Sequence, residues 1–256
     1  MKKLLLALCI FTFLTLAISA DLLIEPSRII VEIEPGGKTS GAISIINTGK
    51  KPLDLKAVLY DWDLEETSEL IELEAGLKED SLDNLIKFNP REFTILPGKS
   101  QVVRYTIQAP DDSLEHKGIV FFEQTITPPK GSMIGATVKN KIGTIFYVST
   151  PLIEMDITFE DISLSSENGN HFLKVVADNT GKGHIRLIIS YLLQTKEGKT
   201  LKEETLPDQV LLVGKKLNSS FPIIGDLAPG NYRLIVNLSY SGYTQRNQGV
   251  LEFSIP

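Results

Sequence analysis

Ile95-Leu96-Pro97-Gly98-Lys99-Ser100-Gln101-Val102-Val103-Arg104-Tyr105-Thr106-Ile107 sets the pattern for the whole chain. A Pro-Gly pair marks a tight turn, and the residues after it alternate between apolar and polar, the period of a strand with one buried face. β-branched and aromatic side chains dominate, as they do on pleated surfaces. Outward from this stretch the pattern repeats. Ala42-Ile43-Ser44-Ile45 and Tyr232-Arg233-Leu234-Ile235-Val236-Asn237-Leu238 alternate in the same way. Turn signals fall between them at Pro35-Gly36-Gly37, Asn47-Thr48-Gly49, Asn168-Gly169, Asn179-Thr180-Gly181 and Pro229-Gly230. Almost nothing reads with the 3.6-residue period of a helix. Short strands punctuated by turns predict an all-β chain of sandwiches.

Two halves echo each other. An apolar strand ends in Asn-Thr-Gly-Lys at Asn47–Lys50 and again at Asn179–Lys182, and Leu96-Pro97-Gly98-Lys99 has a looser counterpart in Leu212-Val213-Gly214-Lys215. The expected plan is two immunoglobulin-like β-sandwiches in tandem, 21–150 and 151–256, dividing near Ser149-Thr150-Pro151. Residues 1–20 read as a secretory signal peptide: Lys2 and Lys3, an uncharged run from Leu4, and the small-residue site Ile18-Ser19-Ala20 before Asp21. The expected location is across the inner membrane, in the periplasm or cell envelope, with no membrane insertion after cleavage. The only cysteine, Cys9, lies in this leader, so neither disulfides nor thiol chemistry would operate in the remaining 236 residues.

Without Lys2 and Lys3, 24 basic residues face 32 acidic ones, a formal charge of −8. That argues against nucleic acid, which requires a basic face to displace counterions. Asp61–Asp83 concentrates ten carboxylates around one lysine, Lys78. It lacks the Asp-x-Asp-x-Asp-Gly pattern of a calcium loop and reads as a solvated, partly helical or disordered insertion. His116, His171 and His184 have no metal-ligand spacing, and no Gly-x-Ser-x-Gly elbow occurs. Gly198-Lys199-Thr200 lacks the upstream glycine of a phosphate loop, since position 193 is leucine. No enzyme activity, cofactor or metal is expected. Tyr60 and Trp62 share a face with Val58, either as a docking patch or as part of a core, core being the more usual place for large aromatics.

Residues 24–151 resemble the N-terminal domain of PapD-like periplasmic pilus chaperones. The motifs are Pro26-Ser27-Arg28-Ile29-Ile30, then Phe88 to Arg104 with its Pro97-Gly98 turn, then His116 to Gln124 ending in Pro128-Pro129. The resemblance implies a boomerang of two sandwiches that lends a strand to a pilin-like or other envelope subunit. A cleft arginine and lysine would hold the client's C-terminal carboxylate. Arg28 falls on the arginine. Thr144 falls on the lysine when Ile145-Phe146-Tyr147 is aligned, leaving Lys141 as the nearest lysine. In the lending strand, Ile134, Ala136, Val138 and Ile142 share one parity, interrupted by Asn140. Arg28, Lys141, Ile134, Ala136 and Val138 are thus the candidate partner-binding residues. The alternative reading is a structural or adhesive envelope protein whose two sandwiches have no chaperone activity.

Overall fold

In a computed structural model, residues 21–65, 69–126, 138–151, 153–167, 170–224, 227–240 and 246–256 are described. Residues 1–20, the expected signal peptide, lie outside them. Among these residues every regular element is a strand. The first sandwich contains β1 (Leu22–Glu25), β2 (Arg28–Glu32), β3 (Lys38–Asn47), β4 (Leu53–Leu64), β5 (Leu70–Glu74), β6 (Ile86–Asn89), β7 (Glu92–Ile95), β8 (Ser100–Gln108), β9 (His116–Ile126) and β10 (Val138–Ser149). One sheet runs β1-β3-β8-β6. The other runs β2-β10-β9-β4-β5, with β7 also on β4. The second sandwich contains β11 (Ile157–Glu167), β12 (Asn170–Asn179), β13 (Ile185–Thr195), β14 (Thr200–Thr205), β15 (Gln209–Leu211), β16 (Lys216–Ile224), β17 (Gly230–Tyr240) and β18 (Arg246–Ile255). Its sheets are β11-β12-β16 and β14-β13-β17-β18, with β15 also on β13.

The alternation read from the sequence becomes burial. In β8, Val103, Tyr105 and Ile107 point inward while Val102, Arg104 and Thr106 point out. They meet Ile43, Ile45, Val120, Phe122 and Phe146 in the first core. Leu187, Ile189, Tyr191 and Leu193 of β13 meet Leu234, Val236 and Leu238 of β17 in the second. Each fully buried aliphatic chain contributes about 1.5–3 kcal/mol, which is how alternation alone fixes register.

The repeated Asn-Thr-Gly-Lys is one device used twice. Asn47, fully buried, donates its amide to the carbonyls of Lys51 (2.7 Å) and Ile95 (2.9 Å) and accepts from Gly49 N (2.9 Å). Asn179, also buried, donates to Gly183 (2.8 Å) and Leu211 (2.9 Å) and accepts from Gly181 N (3.0 Å). In each case the asparagine's backbone N–H and C=O pair with the turn that opens the facing strand, at Lys99 and Gly98 or at Lys215 and Gly214. Gly98 and Gly214 have φ of 68° and 67°, the left-handed region that a side chain resists.

The acidic stretch departs from expectation. Asp61–Leu64 completes β4, and the chain returns as β5, antiparallel to it, so this is a hairpin rather than a loose insertion. Its inward carboxylates are matched by donors. Asp61, 1% exposed, accepts from Ser81 Oγ (2.5 Å) and Lys78 N (2.9 Å). Asp63 accepts from Lys78 Nζ at 2.7 Å.

Asn47→Ala and Asn179→Ala should each lower unfolding free energy by roughly 2–4 kcal/mol, because two buried carbonyls lose their donor. Asn47→Asp should cost more, since it turns a carboxylate oxygen toward those carbonyls. Urea denaturation followed by circular dichroism checks this. A loss under ~0.5 kcal/mol, the range of ordinary surface substitutions, would show that the pins are dispensable.

Candidate functional site

The parity that sends Phe146 into the core sends Arg28, Lys141, Gly143, Ile145 and Tyr147 to the outer face of the β2-β10-β9-β4-β5 sheet. Arg28 is the register partner of Ile145, which in turn faces Ile119 of β9. Ile119 faces Tyr60 of β4. One end of this outer face is closed by the second sandwich. Trp62, Ile119 and Tyr147 are buried with Leu212, while Ile145, Phe121, Leu64 and Val210 pack around them. Trp62 meets Tyr147 edge-on at 5.9 Å. Trp62 therefore belongs to the seam between the sandwiches. Tyr60 stays half-buried beside Phe121.

Polar contacts lock that seam. Glu115 accepts from His184 twice, at the backbone N–H (2.8 Å) and at Nδ1 (2.7 Å), and both residues are buried. The His184 ring stacks on Tyr147 with centroids 3.7 Å apart. Burial, reinforced by Glu115, pushes the Tyr147 phenol up against the opposing pull of Arg186 and Arg28. Lys215, presented by the second asparagine pin, reaches Asp63 (3.0 Å) and the carbonyl of Leu64 (3.1 Å). Sequence reasoning missed Glu115, His184 and Lys215 as a joint. The only signal available was the repeated turn that carries Lys215.

The other end of the face is open along an edge. β10 pairs with β9 from Val138 to Val148, but with β2 only from Ile145 to Ser149, in parallel. No described strand covers β10 before that point. Thr144 marks the boundary: it is fully buried, faces inward and donates to the carbonyl of Pro26 at 2.8 Å. The position aligned with the family's lysine therefore lies on the opposite face from Arg28. Lys141 shares Arg28's face but sits four residues before Ile145, roughly 13 Å along a strand. It is ion-paired with Glu72, its ammonium 4.6 Å from the Phe121 ring centroid and 5.3 Å from that of Tyr60. The structure does not bring Lys141 to Arg28. Tyr60 donates to Glu123 at 2.7 Å, and that bond, with burial, raises the phenol to about 12. Arg28 is exposed. Ile134 and Ala136 lie outside the described residues, as does the side chain of Val138. Among the described residues no group of three or more His, Cys, Asp and Glu could hold a metal ion.

The sequence matches no protein-family model and no curated protein. Solved structures do match. One is a chain of a chaperone–tip adhesin complex of CFA/I fimbriae biogenesis, with TM-score 0.51 and 14% identity, covering 91% of this chain and 98% of that one. Another is the class 5 fimbriae chaperone CfaA, with TM-score 0.50 and 14% identity, covering 92% and 99%. The chain has the two-sandwich fold of the fimbrial chaperones, as its resemblance to PapD-like proteins implies.

Asp63 is the titratable hinge of the seam. Burial works against its charge, but hydrogen bonds from Lys78, Lys215 and the Leu64 amide outweigh it and hold the carboxyl at about 2, below the ordinary 3.8. A carboxyl depressed in the folded protein contributes stability that is complete above its ordinary value and lost as pH falls through the folded one. Asp63→Asn should therefore be less stable than wild type by about 1–2 kcal/mol at pH 7, discounted for the exposed half of Lys215. The gap should close between pH 4 and 2. Paired denaturation curves across that range test this, and a gap that persists unchanged at pH 2 would contradict it.

Proposed function

We propose that this chain, once exported, is a periplasmic chaperone-like protein that binds subunits of a surface fibre or of the envelope and carries out no catalysis. The client adds a strand to the bare edge of β10, and Arg28 anchors its terminal carboxylate. The observation that carries this reading is the collinearity of the open edge with β2, whose first residue is Arg28. A strand laid along β10 before Ile145 occupies the line of β2, and β2 blocks it at Arg28. If the strand runs in the same direction as β2, its C-terminus arrives at the guanidinium. Backbone ladder bonds then supply affinity and alternate side chains supply register. Two structures with this fold are a fimbrial chaperone and a chain of a chaperone–adhesin complex, which favours the chaperone reading over a purely structural envelope role.

The inward turn of Thr144 removes the second anchor that the family resemblance implies, so the loss of Arg28 should be felt in full. Arg28→Ala should barely change stability, since an exposed arginine contributes little. It should weaken client binding by ~1.5–3 kcal/mol, about ten- to a hundred-fold. Arg28→Lys should recover part of this, keeping charge without the two-pronged geometry. Amidating the client's C-terminus should reproduce the loss in wild type and add little to Arg28→Ala. Capture of client by Arg28→Ala at wild-type strength would rule out carboxylate anchoring.

A further inference from the structure

Among the described strands β18 pairs only with β17, through ten consecutive residues and without a bulge, so its other edge is open. A long, regular edge is a template for another chain, and proteins blunt such edges with lysine, proline, a bulge or brevity. The opposite edge of this sheet follows that rule. β14 is six residues long and carries Lys202, Glu203 and Glu204. β18 does not follow it: residues 247–255 contain no lysine and no proline, and Glu252 is their one charge. The outward face of β18 is apolar at its centre. Val250 is 52% exposed, its register partner is Ile235 of β17, and Ile235 in turn faces Leu192 of β13. An apolar row thus crosses three strands and stops at the edge.

We propose that this edge is a self-association surface, at which β18 pairs antiparallel with β18 of a second copy about a two-fold axis at Val250. This does not depend on the strand-addition reading, since no residue of β10 or β2 takes part. The sequence of β18 selects both partner and register. A two-fold axis normal to the sheet keeps each face on its own side, so only residues of like parity stand opposite each other. Two such registers give the longest ladders, 246–254 centred on Val250 and 247–255 centred on Leu251. Centring on Leu251 drives Glu252 of the second copy against Val250, into the apolar row. Centring on Val250 sets valine on valine, and the row runs from Leu192 and Ile235 through both valines to its own image. Glu252, paired with Arg233 at 3.1 Å, then faces Gln248 of the second copy. Gln248 donates one amide hydrogen to Asn237 at 2.8 Å and keeps another for that carboxylate. On the inward face Leu251 stands opposite Gly249 of the second copy, where even an added Cβ would meet nothing within 4 Å. Centring on Glu252 is excluded, because it sets two carboxylates against each other. A single ladder is a small interface of the transient class, so the copies should exchange rather than stay locked.

Sedimentation velocity of the chain lacking residues 1–20 tests this, over about 1 to 200 micromolar, where a transient interface shows itself. The wild type should shift from monomer to dimer with concentration. Val250→Lys and Val250→Glu each place like charges face to face on the axis and should weaken the dimer roughly ten-fold or more. An equal mixture of the two should recover it, because lysine then meets glutamate. Val250 is exposed, so both variants should keep the wild-type melting temperature; if one does not fold, the other decides alone. Arg28→Ala should leave the equilibrium unchanged. A wild type that stays monomeric throughout overturns the proposal. So does a dimer that neither variant weakens, which would place the contact elsewhere, and so does a mixture that recovers nothing. A dimer that Val250→Lys strengthens by itself also overturns it, as the signature of the register that faces Val250 with Glu252.

Discussion

A buried amide that must satisfy two carbonyls and accept one N–H has a single acceptable pose, and that constraint governs this molecule. Asn47 and Asn179 each hold the end of a core strand against the turn that opens the strand facing it. Leaving such groups unpaired in a core costs far more than the net gain of pairing them, so the pin specifies geometry more than it adds stability. Its second copy does something the first does not. The loop it fixes presents Lys215 to Asp63 and to the Leu64 carbonyl, and places Leu212 beneath Trp62. The angle between the sandwiches is thus partly inherited from the internal geometry of the second one.

Much of this was legible in the sequence, because strands of period two and Pro-Gly or Asn-Gly turns are local signals. Val102–Ile107 and Tyr232–Leu238 could be assigned inward and outward faces residue by residue. The Asn-Thr-Gly-Lys repeat marked equivalent corners before their bonding was known. The acidic hairpin was not legible. Charge density suggested solvation, whereas Asp61 and Asp63 are paired with Ser81 and Lys78, partners brought close only by the return of the chain. The pairing of Glu115 with His184 spans two domains and leaves no local trace. The facing of Thr144 was misleading for a similar reason. Alignment on Ile145-Phe146-Tyr147 places it in sequence, but its hydrogen bond to Pro26 and pairing with β9 decide which way it points.

β10 divides its inward face along its length. Ile142, Phe146 and Val148 pack into the first core, with Thr144 buried among them, while Asn140, of the same parity, is already exposed. Among the described side chains, the inward face of β10 is therefore committed from Ile142 onward. Under the proposed strand addition, filling its own core and serving a client would fall on different lengths of the strand, so a single apolar parity need not serve two cores at one position. Arg28 and Lys141 are separated in the same lengthwise sense. That separation does not suit a pair of anchors on one carboxylate.

The seam has an order built into it. Trp62, Ile119 and Tyr147 belong to the leading sandwich, but their cover, Leu212 and Lys215, comes from the last fifth of the chain. A chain that emerges N-terminus first folds its leading domain first. While residues 150–215 are still to be delivered, the leading sandwich, complete at Ser149, carries an uncapped aromatic patch next to an unpaired strand edge. Both are the kind of surface that invites self-association. The closing of the second sandwich is then the step that retires one of these hazards, and a strand added to the β10 edge, as proposed, would retire the other.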